Sequence, residues 1–186
     1  MRKNLGVKPC TYPQPVFMVA TYDENGNPDV MNAAWAGISG EAEISFDMGS
    51  THKTTANILK RKAFTVSMAN VENVVACDYV GIVSGNKDPE KFKKSGFTAV
   101  KSDFVDAPLI DELPIALECE LISYDEKTCR LVGKIVNLSV DEKVLDEDGN
   151  VDVKKAKPIT YDPFNHNYVV LGEIVGKAFS DGAKLK

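Results

Sequence analysis

Alternation of apolar and polar residues dominates the chain, and segments of helical spacing lie between the alternating ones. The alternating segments predict strands at residues 16–22, 30–38, 44–48, 64–68, 115–124, 129–140 and 169–171. Helical spacing predicts helices at residues 52–62, from about residue 70, and from Asp88 to Gly96. Strands outnumber helices, so the sequence predicts a mainly β fold, a small antiparallel barrel with appended helices.

Turn and cap residues support this division. Asn25-Gly26 predicts an antiparallel hairpin between the first two strands, and residues 125–127 connect the two long strands into a second hairpin. Gly133 inside the return strand predicts a bulge, which a small barrel needs in order to curve. Asn70 and Asp88 are each placed to cap the helix that follows.

The entrance to the helix at residues 52–62 has unusual chemistry. Ser50 or Thr51 can cap it, but Lys53 stands where a capping box would place Glu or Gln, with His52 beside it. Exposed cations at this positive end cost about 0.3–1 kcal/mol each unless an anion is bound. Free amides, the Lys53 ammonium and the hydroxyls of Ser50, Thr51, Thr54 and Thr55 would suit a phosphate. The alternative is an ordinary N-cap with a solvated lysine.

The preceding strand contains the only tryptophan of the chain among small residues. Trp35 is surrounded by Ala33, Ala34, Ala36 and Gly37, so a flat ring could approach the backbone closely. The alternative is that Trp35 is a core anchor in tight packing against another strand. A planar-ring site and a phosphate site joined by one strand together predict a mononucleotide cofactor.

Two motifs carry a family resemblance. Residues 29–35 (DVMNAAW) and 50–57 (STHKTTAN) resemble the flavin reductase-like proteins of the FMN-binding split barrel, most closely the flavoredoxin branch. Residues 80–85 (VGIVSG), Asp88, Lys91-Phe92 and residues 168–173 (YVVLGE) follow in the order that the family shows. The resemblance therefore covers nearly the whole chain.

This resemblance implies a single domain over residues 1–186, an antiparallel FMN-binding split β-barrel of Greek-key type, with FMN as cofactor and a homodimer as assembly. In the family, the Asn-Ala-Ala-Trp strand holds the isoalloxazine through main-chain contacts, and the Ser-Thr-His-Lys-Thr turn holds the phosphate. No catalytic side chain is implied. The expected cofactor-binding residues are Met31, Asn32, Ala33, Ala34, Trp35, Ala36, Ser50, Thr51, His52, Lys53, Thr54 and Asn57.

For two further segments the sequence allows two interpretations each. The resemblance implies that the loop at residues 84–86 and the helix after it can lie beside the flavin, but an ordinary helix connection fits equally well. The aromatic segment from Pro158 to Tyr168, with Tyr161, Phe164 and His166, either completes the flavin pocket or dimer contact, or covers a core edge.

Composition excludes several other classes of protein. A length of 186 residues predicts one domain, and the net charge of -5 argues against a nucleic-acid or anionic membrane partner. No apolar run long enough for a signal peptide or a membrane span is present, and the four cysteines form no CxxC pair. We therefore expect reduced thiols and a cytoplasmic protein. With two histidines no His-rich metal site is expected, and the acidic loop at residues 146–150 lacks EF-hand spacing.

Three functions are compatible with these observations. The first is an NAD(P)H-dependent flavin reductase, and the second is a flavoredoxin-type electron carrier between protein partners. The third is a barrel that has lost its flavin and serves as a binding module. Retention of Trp35, Lys53, Thr54 and Asn57 argues against the third, while the first two use the same pocket and differ in what reaches the ring.

Overall fold

The computed structural model describes residues 1–186. Its strands are β1 (Gln14–Pro15), β2 (Phe17–Tyr22), β3 (Pro28–Ala33), β4 (Ala36–Gly40), β5 (Glu43–Asp47), β6 (Ala63–Met68), β7 (Ala99–Lys101), β8 (Pro108–Ile110), β9 (Ile115–Asp125), β10 (Arg130–Val140), β11 (Ile159–Asp162) and β12 (Asn167–Val170). Its α-helices are α1 (Lys53–Arg61), α2 (Val74–Ile82), α3 (Lys91–Ser95) and α4 (Val153–Ala156). Short 3₁₀ turns lie at Glu142–Val144 and Asp181–Leu185.

The main sheet has seven antiparallel strands in the order β3-β2-β6-β9-β10-β5-β4. Its two edge strands, β3 and β4, are consecutive in the chain and are separated only by Ala34 and Trp35. The sheet must therefore curl until its edges meet at these residues, which gives a barrel that is split there. This confirms the predicted antiparallel split barrel with appended helices.

Both predicted hairpins are present. β2 pairs with β3 and β9 pairs with β10, each antiparallel. The register of the second hairpin shifts between Val132 and Gly133, which confirms the predicted bulge. A Cβ at Gly133 would overlap the ring of Phe64. Only glycine can therefore stand at this position of the strand, next to the barrel interior.

Apolar side chains fill the space on both sides of the sheet. One cluster, which includes Ile44, Phe46, Phe64 and Leu131, fills the barrel. A second cluster on the other side joins Met18 and other residues of β2 to α2, α3 and β11. The helices that border the candidate site are thus held by the core.

The predicted strand at residues 30–38 is confirmed over residues 30–33 and 36–38, but it is not one continuous strand, because the chain breaks at Ala34 and Trp35. The Ala34 carbonyl accepts a hydrogen bond from the Gln14 side chain. The Trp35 carbonyl accepts one from the amide of Asp47, at 2.8 Å. The break is therefore the point at which the chain leaves one edge of the sheet for the other.

Two helix starts also differ from the prediction. α2 begins at Val74 rather than near Asn70, because the Asn70 side chain accepts a hydrogen bond from the Asn73 amide at 3.0 Å while its backbone bridges to Pro158. α3 begins at Lys91, since Asp88 accepts from the Glu90 amide at 3.1 Å in a turn before the helix. Gly96 ends α3 in the left-handed conformation, as expected.

The C-terminal aromatic segment contains more regular structure than the sequence indicated. Ile159–Asp162 forms β11, which pairs with β1 and with β12 in a three-stranded sheet. The last strand lies at Asn167–Val170, somewhat earlier than the predicted residues 169–171. No helix in the chain is both long enough and apolar enough to cross a bilayer.

Candidate functional site

A cavity of about 670 Å³ lies where the barrel is split. Its walls come from β3 and the Ala34–Trp35 step, the start of α1, one side of α2, the loop at residues 83–87, and the tyrosines of β11 and β12. This volume is in the range of small-molecule sites, which span about 300–1,000 Å³. The cavity therefore has two different ends, one at a helix N-terminus and one at an interrupted strand.

The helix end has open amides. His52 is the N-cap of α1 and makes no side-chain cap hydrogen bond, so the predicted capping by Ser50 or Thr51 is wrong. No acidic residue stands in the first turn, and Lys53 and Thr54 line the cavity there. Amides without a cap, next to a lysine, make this end suited to an anion.

The threonine hydroxyls of α1 have other partners. The Thr54 hydroxyl donates to the Asp29 carboxylate at 2.6 Å, and the Thr55 hydroxyl donates to the Gly49 carbonyl at 2.9 Å. The expectation that both hydroxyls serve an anion is therefore wrong. They fix the helix entrance instead, and they leave the amides and the cations to face the cavity.

A buried ion pair forms the wall behind this end. Lys91 Nζ lies 3.5 Å from the Asp29 carboxylate, and both side chains are almost fully buried, at 4% and 3% exposure. Burial lowers the pKa of Lys91, and the Asp29 carboxylate opposes that shift. Lys53 Nζ lies 3.5 Å from Asp23 in a more exposed pair. Each of these lysines thus has an acidic partner while it borders the cavity.

The loop at residues 83–87 closes the helix end. Asn86 donates to the Thr51 carbonyl at 2.9 Å, which connects the loop to the start of α1. A Cβ at Gly85 would lie 2.6 Å from the Asp29 carboxylate and 3.2 Å from the Lys53 side chain. Only glycine fits between these groups, so the loop packs directly against the Asp29 carboxylate and the Lys53 side chain.

The strand end has a bare backbone and an exposed aromatic ring. Met31, Asn32, Ala33 and Ala34 line the cavity, and Trp35 borders it with 46% of its surface exposed. This exposure contradicts the interpretation of Trp35 as a core anchor. Trp35 lies outside the strands, between the end of β3 and the start of β4.

Tyrosines and a carboxylate complete the strand end. The Tyr168 hydroxyl donates to Asp78 at 2.7 Å, and the Tyr161 hydroxyl lies 2.6 Å from His166 Nδ1. Tyr161, Tyr168 and Asp78 all line the cavity. The aromatic C-terminal segment therefore contributes to the cavity wall.

Most of the residues expected at the site meet in this cavity. The ones that line it are Met31, Asn32, Ala33, Ala34, Trp35, Thr51, His52, Lys53 and Thr54. Ala36 borders a neighbouring shallow groove of about 460 Å³ on the other side of Trp35. Ser50 and Asn57 line neither, and the Asn57 side-chain nitrogen is buried without a hydrogen-bond partner.

Sequence reasoning missed the buried ion pair and the Tyr168–Asp78 pair. Lys91 was used only as part of the family pattern. A lysine next to Phe92, on the apolar side of a short helix, is a sign of a buried charge, and a buried charge needs a partner. Asp78 gave a similar sign, as the only charged residue of the otherwise apolar α2. Their partners come from distant segments, which no local pattern could supply.

Comparison with known proteins agrees with this geometry. Residues 10–165 match the model of the flavin reductase like domain family. The structure of a flavoredoxin from Desulfovibrio vulgaris (Miyazaki F) superposes with a TM-score of 0.93 at 39% sequence identity, over 98% of this chain and 100% of that one.

More distant matches were found in structure and in sequence. An FMN-binding domain of a flavin reductase-like enzyme from Shewanella baltica superposes with a TM-score of 0.79 at 18% identity, over 88% of this chain and 89% of that one. An uncharacterised protein of Aquifex aeolicus is 26% identical over 159 residues, 79% of each chain. The family match covers most of the sequence, and the chain therefore belongs to the flavin reductase-like family of flavoproteins.

Proposed function

We propose that this protein binds FMN in the split-barrel cavity and carries electrons through it, as an NAD(P)H-dependent flavin reductase. The observation that carries the proposal is the pairing of the two ends of one cavity: an anion site with lysines, and a bare strand beside an exposed tryptophan. A flavin mononucleotide has the same two parts, a phosphate and a planar ring. We take residues 1–186 as one flavin-binding domain that acts in the cytoplasm.

The residues present fit FMN. The amides at the start of α1, with Lys53 and Lys91 nearby, would hold the phosphate, and the backbone at residues 31–34 would hold the ring. The loop at residues 83–87 closes the phosphate end, which favours a terminal phosphate and therefore FMN over FAD. The similar domain from Shewanella baltica is an FMN-binding one.

When bound, the flavin would supply the redox chemistry, since it accepts and releases two electrons reversibly. The chain contributes position, polarity and partial exclusion of water. Trp35 covers one side of the strand end, while Tyr161 and Tyr168 cover it from the C-terminal segment. No catalytic side chain is required for this role.

A second candidate function is an electron carrier between protein partners. The similarity to a flavoredoxin favours it. The two functions differ under anaerobic conditions with purified, flavin-loaded protein. Prompt bleaching of the flavin bands by NADH or NADPH supports the reductase. Bands that persist with both nicotinamides but bleach with a reduced partner protein contradict it and support the carrier.

We also propose a homodimer. α2 is apolar on nearly every side, a composition typical of a buried helix, yet Val75 is 80% exposed and Ile82 is 75% exposed. Ile174, Val175 and Phe179 of the C-terminal tail are also exposed. A second copy would cover these surfaces. Light scattering should report a dimer that the Val75→Asp/Ile82→Asp variant disrupts, and a monomer at micromolar concentration would contradict the proposal.

A further inference from the structure

The charged residues that line the cavity are separated by sign. Lys53, Lys87 and Lys91 lie at the end formed by α1, α3 and the 83–87 loop. The carboxylates of Asp47 and Asp78 lie at the end formed by residues 31–35. The Asp47 amide donates to the Trp35 carbonyl at 2.8 Å, and the residue before Asp78 accepts from the Asn32 side chain at 3.2 Å. A ligand that spans the cavity meets lysines at one end and carboxylates at the other.

Asp78 has no cationic partner. Its carboxylate is half-buried and accepts a hydrogen bond from the Tyr168 hydroxyl at 2.7 Å, but it forms no ion pair. Burial raises the pKa of Tyr168, and the bond to Asp78 raises it further, so Tyr168 is a neutral donor. The negative charge of Asp78 is therefore shared with a hydroxyl and not neutralised.

The groups packed around Asp78 do not cancel this charge. From α2 itself, Cys77 is buried with its pKa raised to about 12, so it is a neutral thiol. From α3, Lys91 faces the cavity, but it pairs with Asp29 of β3, and those two charges offset each other. From β12, Tyr168 contributes only the hydroxyl. Asp78 is thus an uncompensated charge at the strand end, where the more exposed Asp47 is a second carboxylate.

We propose that Asp78 sets the reduction potential of the bound flavin, and this inference rests on the flavin binding proposed above. An uncompensated carboxylate opposes the arrival of further negative charge in the same cavity. Reduction leaves the ring negative where the reduced ring loses its second proton, so at such a pH Asp78 makes reduction less favourable and lowers the potential. The reduced cofactor is then a stronger electron donor to its acceptor.

Asp78 also affects the accompanying protons. Complete two-electron reduction of a flavin takes up two protons, and the second leaves the ring when the pH is high enough. The carboxylate disfavours the anion that this loss would create. Bound flavin should therefore keep both protons to a higher pH than free FMN does. The electrons come from a reduced nicotinamide or a reduced partner protein, and the protons come from solvent.

The test measures the potential of the FMN-loaded full-length protein by anaerobic titration against a reference dye, at a pH above the one at which reduced free FMN loses its second proton. Asp78→Asn keeps the shape of the side chain and removes the charge, so it should raise the equilibrium constant for reduction by about tenfold. Tyr168→Phe removes the donor and leaves the charge, so it should lower this constant or leave it unchanged. Asp111→Asn, an exposed carboxylate outside the cavity, is the matched control and should have no effect.

A rise in Asp78→Asn that Tyr168→Phe does not share supports the inference. An unchanged potential in Asp78→Asn overturns it, and so does a rise of equal size in both variants, which would indicate lost packing in place of lost charge. These outcomes all require bound flavin. A wild-type protein that binds no flavin would instead contradict the proposed function.

A second measurement needs no variant. The potential of wild-type protein, followed against pH, should keep the slope of two protons per two electrons at pH values where free FMN has changed to one. A change of slope at the same pH as free FMN, or at a lower one, would overturn the inference even if Asp78→Asn fails to fold.

Discussion

Two almost fully buried carboxylates in this protein have opposite kinds of partner, one a cation and the other only neutral hydrogen-bond donors. Asp29, 3% exposed, has a lysine 3.5 Å away and a threonine hydroxyl at 2.6 Å. Glu118, 1% exposed, has no cation near it and accepts only from neutral donors, the side chains of Ser102, Ser139 and Asn137.

The difference follows from position. Glu118 on β9 connects neighbouring strands and the loop after Ser102 within the barrel wall, where neutral donors complete its hydrogen bonds locally. Asp29 on β3 lies behind the helix end of the cavity, where Lys53 and Lys91 line the wall. The Asp29–Lys91 pair therefore belongs to the proposed binding site, and the neutral donors around Glu118 belong to the barrel wall.

The largest effect on stability should come from Lys91→Met. It leaves the Asp29 carboxylate buried without a cation, and breaking a buried pair in this way costs about 3–5 kcal/mol. Urea unfolding of the flavin-free protein measures this loss. Lys93→Met on the same helix is the control, because Lys93 is exposed and should tolerate the change.

A double variant sharpens the comparison. Asp29→Asn combined with Lys91→Met removes both charges and keeps an acceptor for Thr54, so most of the lost stability should return. FMN affinity should not return, since the lysine is still absent. Recovery of both properties together would show that Lys91 acts on the fold alone.

Glu118→Gln should have a smaller effect on stability. The amide NH₂ of the new side chain would face groups that donate to Glu118, so at least one donor would lack an acceptor. An unsatisfied buried polar group costs about 1–3 kcal/mol. FMN affinity should not change, because Glu118 does not line the cavity. A loss of FMN binding as large as that of Lys91→Met would erase the distinction between the two carboxylates.

Glu118 should also contribute to acid sensitivity. Burial opposes its ionisation, but the hydrogen bonds from Ser102, Ser139 and Asn137 outweigh burial and lower its pKa. Its contribution is therefore fully present above the unfolded value of about 4.3 and is lost as the pH falls through the lower folded value. Unfolding free energy measured from pH 6 down to about 3 should fall less steeply in Glu118→Gln.

The elements were more predictable from sequence than the site was. Alternation located the barrel strands and both hairpins because each strand buries one face, and Gly133 located its bulge because no side chain fits beside Phe64. Ala34 and Trp35 were predicted to be part of a strand. Its break depends on Gln14 and Asp47, which are distant in sequence.

The site shows the same division between local and distant information. His52 and Lys53 were found because cations at a helix start conflict with the helix dipole, and that conflict is visible within a few residues. The role of Thr54 was misread, because its partner Asp29 comes from β3. Lys91 and Asp78 were missed for the same reason: a single residue type does not reveal its neighbour in space.

Lys53→Ala should have the smallest effect on stability, and it should weaken the binding of FMN but not that of riboflavin. Its partner Asp23 is partly exposed, so the lost ion pair should cost no more than about 1 kcal/mol. FMN affinity should fall by about tenfold or more, since a charge-assisted contact contributes about 1.5–3 kcal/mol, while riboflavin affinity should stay unchanged. Lys60→Ala, on the same helix and outside the cavity, is the control. Equal losses for FMN and riboflavin would remove Lys53 from the phosphate site.

Titration of the flavin-free protein with FMN, followed by the fluorescence of Trp35, tests the central claim most directly. Trp35 is the only tryptophan, so the signal has one source, and it borders the cavity at the strand end. We predict saturable quenching at one FMN per chain, together with the visible bands of a bound flavin. Fluorescence that FMN leaves unchanged, in a protein that also stays colourless, would contradict a flavin site in the split of the barrel.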